Sequence, residues 1–143
     1  MSRPDLSLVV ETSLDRETIS FYEFDVVAFD GGNQTGRQHV RVNIADVNDS
    51  PPKFDRSIYV LKNISEHLSI DSIVFRLQAH DNDTGVNSEL NYSLLNDEPC
   101  FVVDSLTGDV RLRCLLDYET KSNYRLYFEV RDQGEGSKTD FCT

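Results

Sequence analysis

A short acidic connector, stiffened by two prolines, constrains this chain more than any other feature. Residues 46–54 read Asp-Val-Asn-Asp-Ser-Pro-Pro-Lys-Phe, so three side-chain oxygen donors fall within four residues, shortly before Pro51 and Pro52. Each proline fixes its own φ and biases the preceding residue toward extended geometry. The carboxylates of such a stiff connector need a cation to offset their charge, and a donor set made only of oxygen suits Ca²⁺.

The charge of the chain argues against several classes of partner. Its 143 residues carry 14 Lys and Arg against 25 Asp and Glu, a formal net charge of −11. Nucleic acids and anionic membrane surfaces are bound through basic residues, so neither is expected as a partner. The acidic residues cluster instead of scattering, which favours neutralisation by a metal ion over a merely solvated surface.

The sequence predicts no enzyme and no small-molecule substrate. The three cysteines match no zinc spacing, and no Gly-rich phosphate loop or nucleophile elbow occurs. The sequence also contains no signal peptide and no apolar run of transmembrane length, which favours a fragment of a longer protein.

The chain repeats itself, with Asp117 following Asp15 by 102 residues. The matching positions are Leu14-Asp15-Arg16-Glu17-Thr18 with Leu116-Asp117-Tyr118-Glu119-Thr120, Asp30 with Asp132, and Gly32 with Gly134. A repeat of this size indicates tandem domains. Only fourteen residues precede Asp15, so we expect residues 1–50 to be the C-terminal part of one repeat, including the connector, and residues 51–143 to be a nearly complete second repeat.

Short strands are predicted along the whole chain, because polar and apolar residues alternate between Gly-rich turns and no long segment has helical periodicity. The strands expected in residues 51–143 are 54–61, 72–80, 90–95, 100–103, 109–114, 123–131 and 137–143. Those expected before the connector are 6–13, 20–29 and 37–45. Seven strands in the second repeat predict an all-β fold, an immunoglobulin-like β-sandwich with Greek-key connections.

Seven segments, in order, resemble the motifs of cadherin repeats. They are Asp15-Arg16-Glu17, Ala28-Phe29-Asp30-Gly31-Gly32, residues 46–54, Ser65-Glu66, residues 81–87, Asp117-Tyr118-Glu119 and Arg131-Asp132. The resemblance covers nearly the whole chain, and the motifs are most similar to those of protocadherin, Fat or Dachsous repeats. It implies a calcium-dependent cell–cell adhesion module in the extracellular part of a membrane-anchored protein. Its expected partners are other cadherin-type ectodomains, homophilic or heterophilic.

The resemblance also implies which residues bind Ca²⁺. At the linker, the carboxylate ligands would be Asp15, Glu17, Asp46, Asp49, Asp81, Asp83 and Asp132. Asn48 would supply its side-chain carbonyl, and Val47, Ser50 and Asn87 would supply backbone carbonyls. A second, incomplete downstream site would use Glu66, Asp117 and Glu119. The family has Asn where Ser50 stands. The glutamate that the first strand of the upstream repeat normally contributes is not present in this sequence. We therefore expect one nearly complete site and one half-site.

An alternative interpretation is a generic immunoglobulin-like structural or interaction module with an acidic surface. Such a module would need no metal, so it predicts no response to calcium. The linker interpretation predicts instead that calcium rigidifies the connection between tandem repeats.

Two further patterns suit an extracellular protein. Cys100 and Cys114 flank a predicted hairpin, and a one-residue change of register decides whether Cys100 faces Arg113 or Cys114. A disulfide is one of the two outcomes. Five N-x-S/T sequons suggest a glycoprotein, at Asn33, Asn48, Asn63, Asn82 and Asn91. A glycan at Asn48 or Asn82 would conflict with calcium binding, which favours glycosylation at the remaining three.

Overall fold

The structure, a computed structural model, describes residues 7–143. These residues divide into two compact units, of which the first ends at Asp46 and the second spans Val47–Thr143. The division falls at the acidic connector, close to the boundary expected after residue 50. No helix in the described part of the chain has the length and hydrophobicity that crossing a bilayer requires.

The first unit is built around one antiparallel hairpin. Strand β1 (Phe21–Phe29) pairs with β2 (Thr35–Asn43) in continuous register, from Phe21 opposite Asn43 to Phe29 opposite Thr35. The predicted strand 6–13 is wrong in its described part, because residues 7–13 form no strand; residue 6 lies outside the described residues. An apolar β-prone sequence forms a strand only where another strand offers a ladder, and the described residues offer none to this segment.

The second unit contains eight strands. They are β3 (Lys53–Phe54), β4 (Ile73–Arg76), β5 (Ala79–His80), β6 (Leu90–Leu94), β7 (Phe101–Val103), β8 (Asp109–Leu112), β9 (Phe128–Asp132) and β10 (Thr139–Cys142), with a 3-10 helix at Gly85–Ser88. One sheet has the order β10-β9-β6, a second β4-β8-β7, and β3 pairs with β5. All pairs are antiparallel, and strands distant in sequence are neighbours, as in a Greek key. The predicted all-β sandwich is confirmed.

The core of the second unit follows the strand period of two. In β9, Phe128 and Val130 point inward and are almost fully buried, while the intervening Glu129 is only half-buried. The ring of Phe75 in β4 meets that of Phe128 edge-on, with centroids 5.8 Å apart, so aromatic packing joins the two three-stranded sheets. Each such fully buried side chain contributes about 1.5–3 kcal/mol to stability.

The predicted strand 72–80 is divided into two strands that belong to different sheets. β4 pairs with β8, whereas β5 pairs with β3. Between them, the Leu77 side chain is 1% exposed and its N–H donates to the Gly108 carbonyl at 2.9 Å. Gly108 has φ +71, and a Cβ there would lie 2.7 Å from the Leu77 carbonyl oxygen. The close packing of Leu77 on this turn therefore moves the chain from one sheet to the other.

Two other predicted strands are shorter than expected. The strand predicted at 54–61 is confined to Lys53–Phe54. Beyond it, the Asp55 N–H donates to the Gln78 carbonyl, and Ser57 and Tyr59 bond to Thr143, but these isolated bonds form no continuous ladder. The strand predicted at 123–131 begins at Phe128. Both predicted segments contain β-prone residues, but a strand also needs a neighbour along its whole length.

The cysteines form one disulfide. Asp104 donates its N–H to the Asp109 carbonyl, which is the register that places Cys100 opposite Arg113. Cys100 is nevertheless bonded to Cys114, with their Cα atoms 4.8 Å apart. β8 ends at Leu112, so Cys114 lies beyond the regular ladder and the register rule no longer governs its direction. Cys142 is a buried free thiol, and burial raises its pKa to about 12, so it remains protonated and behaves as an apolar group.

Candidate metal centre

Within the second unit, polar groups of the connector lie against the turns that carry the other predicted ligands. The Asn48 amide nitrogen donates to Asp132 Oδ1 at 2.9 Å. The backbone N–H of Ser50 lies 3.3 and 3.2 Å from the two carboxylate oxygens of Asp83. The Asp83 N–H in turn donates to Asp81 Oδ1 at 2.9 Å. The fold thus brings five of the predicted ligand residues into one cluster.

Two oxygens of this cluster are buried without a hydrogen-bond partner, namely Asn48 Oδ1 and Asp81 Oδ2. A buried polar atom left unpaired costs about 1–3 kcal/mol, so native structures seldom keep one without a reason. Both atoms are acceptors that a cation could satisfy. Carboxylate and amide carbonyl oxygens are the ligands that Ca²⁺ takes, and the donor set therefore fits this ion.

The cluster also gathers negative charge away from water. Asp83 is 5% exposed and Asp132 is 1% exposed. Burial raises the pKa of Asp81, and the neighbouring charges of Asp83 and Asp132 raise it further. Like charges at such short range destabilise one another, whereas a divalent cation among them would reverse the sign of the interaction.

Gly134 is needed for the close approach of two asparagines. A Cβ built at this glycine would collide with the Asn48 side-chain amide and with Asn87 Oδ1. The Gly134 N–H also donates to Asp132 Oδ1 at 3.0 Å. The sequence predicts no functional role for Gly134, although its correspondence with Gly32 in the internal repeat marks the position.

Val47 and Asp49 lie in the connector and share a tight backbone turn. The Asp49 N–H donates to the Val47 carbonyl at 2.7 Å, and Val47 is 67% exposed. No hydrogen bond described in the chain ties either residue to Asp81 or Asp132. Their assignment as ligands stays a prediction.

In the first unit, an arginine joins two of the predicted ligands. The Arg16 guanidinium forms ion pairs with Asp46 and with Glu17. The Asp15 carboxylate instead accepts hydrogen bonds from the hydroxyl and N–H of Thr18, at 2.8 and 3.2 Å, which lower its pKa. Glu17 and Asp46 are therefore brought together around a positive charge, while Asp15 stabilises the turn that carries Glu17.

The downstream residues form a second acidic cluster. Glu66, Asp117 and Glu119 are exposed, and each offers a carboxylate oxygen within 4.8 Å of the others. Glu66 Oε2 also accepts the Tyr118 N–H at 3.0 Å. Thr120 donates its hydroxyl and N–H to Asp117, at 2.6 and 3.3 Å, and lowers the pKa of Asp117 just as Thr18 does for Asp15. The turns of Asp15 and Asp117 thus share the same two threonine hydrogen bonds.

The geometry separates Asn48 from the other glycosylation sequons, which gives a first prediction. Asn33, Asn63, Asn82 and Asn91 are exposed, whereas the Asn48 side chain is bonded to Asp132 and to the Glu135 carbonyl. Asn82 lies between the predicted ligands Asp81 and Asp83, so we expect glycans at Asn33, Asn63 and Asn91 and none at Asn48 or Asn82 when the chain is secreted from eukaryotic cells. Mass spectrometry after enzymatic deglycosylation in ¹⁸O-labelled water measures this, and a glycan on Asn48 would contradict the folded position of its side chain.

The sequence of this chain is similar to a family model and to known proteins. A family model described as "Cadherin domain" matches residues 62–143. Protocadherin alpha-11 of Homo sapiens is 36% identical over 96% of this chain, and protocadherin gamma-B5 of Pan troglodytes is 35% identical over 92%. The chain spans only about 15% of the length of these relatives.

Solved protocadherin structures share the fold. The chain matches repeats of protocadherin gamma-B3 (EC1–4) with a TM-score of 0.84 and 33% identity, covering 94% of this chain and 33% of that one. Protocadherin gamma-C5 EC1–3 matches with a TM-score of 0.76 and 30% identity, covering 94% and 45% of the two chains. A structure of protocadherin gamma-B7 EC3–6, described as a cis-dimer, matches with a TM-score of 0.83 and 28% identity over 94% and 33%.

Proposed function

Because this chain belongs to the cadherin family, we propose that it is a calcium-dependent module of cell–cell adhesion, exposed outside the cell as part of a membrane protein. Residues 1–50 would be the C-terminal part of one repeat and residues 51–143 the following repeat. The observation that carries the calcium dependence is the pair of buried, unpartnered oxygens, Asn48 Oδ1 and Asp81 Oδ2, beside the buried carboxylates of Asp83 and Asp132.

The residues that would hold calcium at the linker are those that the family resemblance implies. They are Asp15, Glu17, Asp46, Val47, Asn48, Asp49, Ser50, Asp81, Asp83, Asn87 and Asp132. Glu66, Asp117 and Glu119 would contribute to a further, downstream site. Bound calcium would supply the positive charge that these carboxylates lack and would tie the connector to the turns of the second unit.

Rigidity is the proposed link between calcium and adhesion. Without metal, repulsion among the carboxylates favours a mobile connector, and the ion would remove that repulsion. Tandem repeats held at a fixed angle can present their surfaces to other cadherin-type ectodomains, homophilic or heterophilic. The dimer described for protocadherin gamma-B7 supports partners of this kind.

Calcium affinity tests the proposal directly. We expect Asp81→Asn to weaken calcium binding by at least tenfold, or about 1.4 kcal/mol, because it removes a charge from the buried cluster. Isothermal titration of the chain with CaCl₂ measures the change. Asp97→Asn is the matched control, since Asp97 is exposed and outside both acidic clusters. Equal affinities of the two variants would refute the assignment of Asp81.

A further inference from the structure

In the first unit, the guanidinium of Arg16 lies between two residues that are proposed to bind calcium. Its Nε–H donates to Asp46 Oδ1, and its Nη2 donates to Glu17 Oε1. The side chains of Arg16 and Asp46 are each 15% exposed, whereas that of Arg37, which pairs with Asp25 in the same unit, is 72% exposed. The two ion pairs of Arg16 are therefore screened less by water and salt than an ordinary surface pair.

The fold of the first unit brings Arg16 and Asp46 together. The two residues are 30 positions apart in sequence. Next to the β1–β2 hairpin, the Ile44 N–H donates to the Ser20 carbonyl at 2.9 Å, which continues the pairing toward the connector. The start of the connector is thereby held beside the turn that carries Arg16. The contact with Asp46 is a consequence of this pairing and not of closeness in sequence.

Arg16 and a calcium ion need the same carboxylate oxygens. Ca²⁺ takes its oxygen ligands at about 2.3–2.6 Å, so an ion on Asp46 Oδ1 and Glu17 Oε1 would occupy the space that the guanidinium fills. Two cations held between the same pair of carboxylates would also repel each other. An arginine side chain is always charged in proteins, so a change of pH does not remove this competition. The observed position of Arg16 and calcium coordination by these two oxygens therefore exclude each other.

The internal repeat contains the same turn without a guanidinium. Tyr118 stands at the position that corresponds to Arg16, and the turn around it has the same two threonine hydrogen bonds. The Tyr118 side chain has no basic group and is 68% exposed. The turn therefore forms without an arginine at this position, and the positive charge of Arg16 is not needed to shape it.

We propose that Arg16 is an internal counter-ion that competes with calcium and sets the calcium concentration at which the linker is loaded. This inference rests on the proposed function, since it concerns two of the carboxylates assigned there. When calcium is scarce, the guanidinium offsets the charges of Glu17 and Asp46 and holds the two side chains together. The site becomes competent only when Arg16 moves away, and the apparent affinity of a site falls with the fraction of molecules in which it is competent. Arg16 therefore makes the linker respond at a higher calcium concentration.

Isothermal titration of the full chain with CaCl₂ tests this competition. Arg16→Tyr copies the residue of the downstream turn and removes the guanidinium. We expect this variant to bind calcium at least about tenfold more tightly than wild type, because no side chain has to be displaced. A role of Arg16 in folding alone would leave calcium affinity unchanged or weaken it.

Arg37→Gln is the matched control, because it removes the same charge from an exposed pair of the same unit. Strand β2 ends at Asn43, six residues after Arg37, which is about 20 Å along the strand. At about 0.15 M salt, exposed charges more than about 8 Å apart are largely screened. The dissociation constant of Arg37→Gln should therefore lie within about twofold of wild type.

Nuclear magnetic resonance of the Arg16 side chain measures its displacement in the wild-type chain. In chelator, the Nε–H that donates to Asp46 should exchange slowly with water and give a resonance that is absent from Arg16→Tyr. Saturating CaCl₂ should abolish this protection. Protection that persists at saturation, or equal affinities of Arg16→Tyr and wild type, would overturn the competition and leave the calcium module in place. A wild-type chain that binds no calcium would overturn both.

Discussion

Excess calcium is expected to raise the melting temperature of this chain by about 10–20 °C relative to chelator. Metal that binds only the folded state stabilises it by about 2.7 kcal/mol when free metal is at one hundred times the dissociation constant. For a unit of the size of Val47–Thr143, each kcal/mol shifts the midpoint by about 4–8 °C. Thermal unfolding followed by circular dichroism, with CaCl₂ and again with chelator, measures the shift.

Two controls assign this shift to the linker cluster. Magnesium at the same concentration should give a smaller shift, because Mg²⁺ requires near-ideal octahedral geometry and retains its water. Glu119→Gln alters the exposed downstream cluster and should leave most of the calcium effect in place. Identical melting curves with calcium and with chelator would favour the alternative of an immunoglobulin-like module that needs no metal.

The chemistry of the candidate site could be predicted from sequence because it is encoded locally. The turns of Asp15 and Asp117 each depend on a threonine three residues later, and both repeat in the structure with the same hydrogen bonds. The ligand sets themselves are implied by the resemblance to cadherin motifs, because they join turns far apart in sequence, such as those of Glu66 and Asp117. The two unpartnered oxygens could not be predicted in this way, since burial of Asn48 depends on the position of Asp132, 84 residues away.

The parts of the fold that sequence reasoning missed depend on neighbours distant in sequence. Residues 72–80 have the composition of one strand, but the packing of Leu77 on Gly108 divides it between two sheets. Residues 7–13 have the pattern of a strand but find no ladder within the described residues. Cys114 pairs with Cys100 because it lies just beyond the end of β8. In each case the local sequence favours a strand, but the contacts with residues distant in sequence decide the structure that forms.

Gly134→Ala is expected to cost about 1–3 kcal/mol of folding stability in chelator, the usual cost of overpacking. The cause is space, because the new methyl group would collide with the side chains of Asn48 and Asn87. The same collision displaces Asn48 Oδ1, so the variant should also lose the calcium effect. In excess calcium the total deficit then reaches about 4–6 kcal/mol relative to wild type. Urea unfolding with calcium and with chelator measures both parts.

Gly136→Ala separates this effect from a general intolerance of alanine in the loop. Gly136 has φ +67 and no atom near a built Cβ, so alanine there is strained by its backbone and meets no neighbour. It should cost about 1 kcal/mol in both conditions and keep the full calcium effect. If Gly134→Ala instead behaved like Gly136→Ala, with calcium stabilisation intact, the cluster would bind metal without Asn48 held close to Gly134. Calcium affinity would then have to come from the carboxylates and backbone carbonyls without the Asn48 side chain.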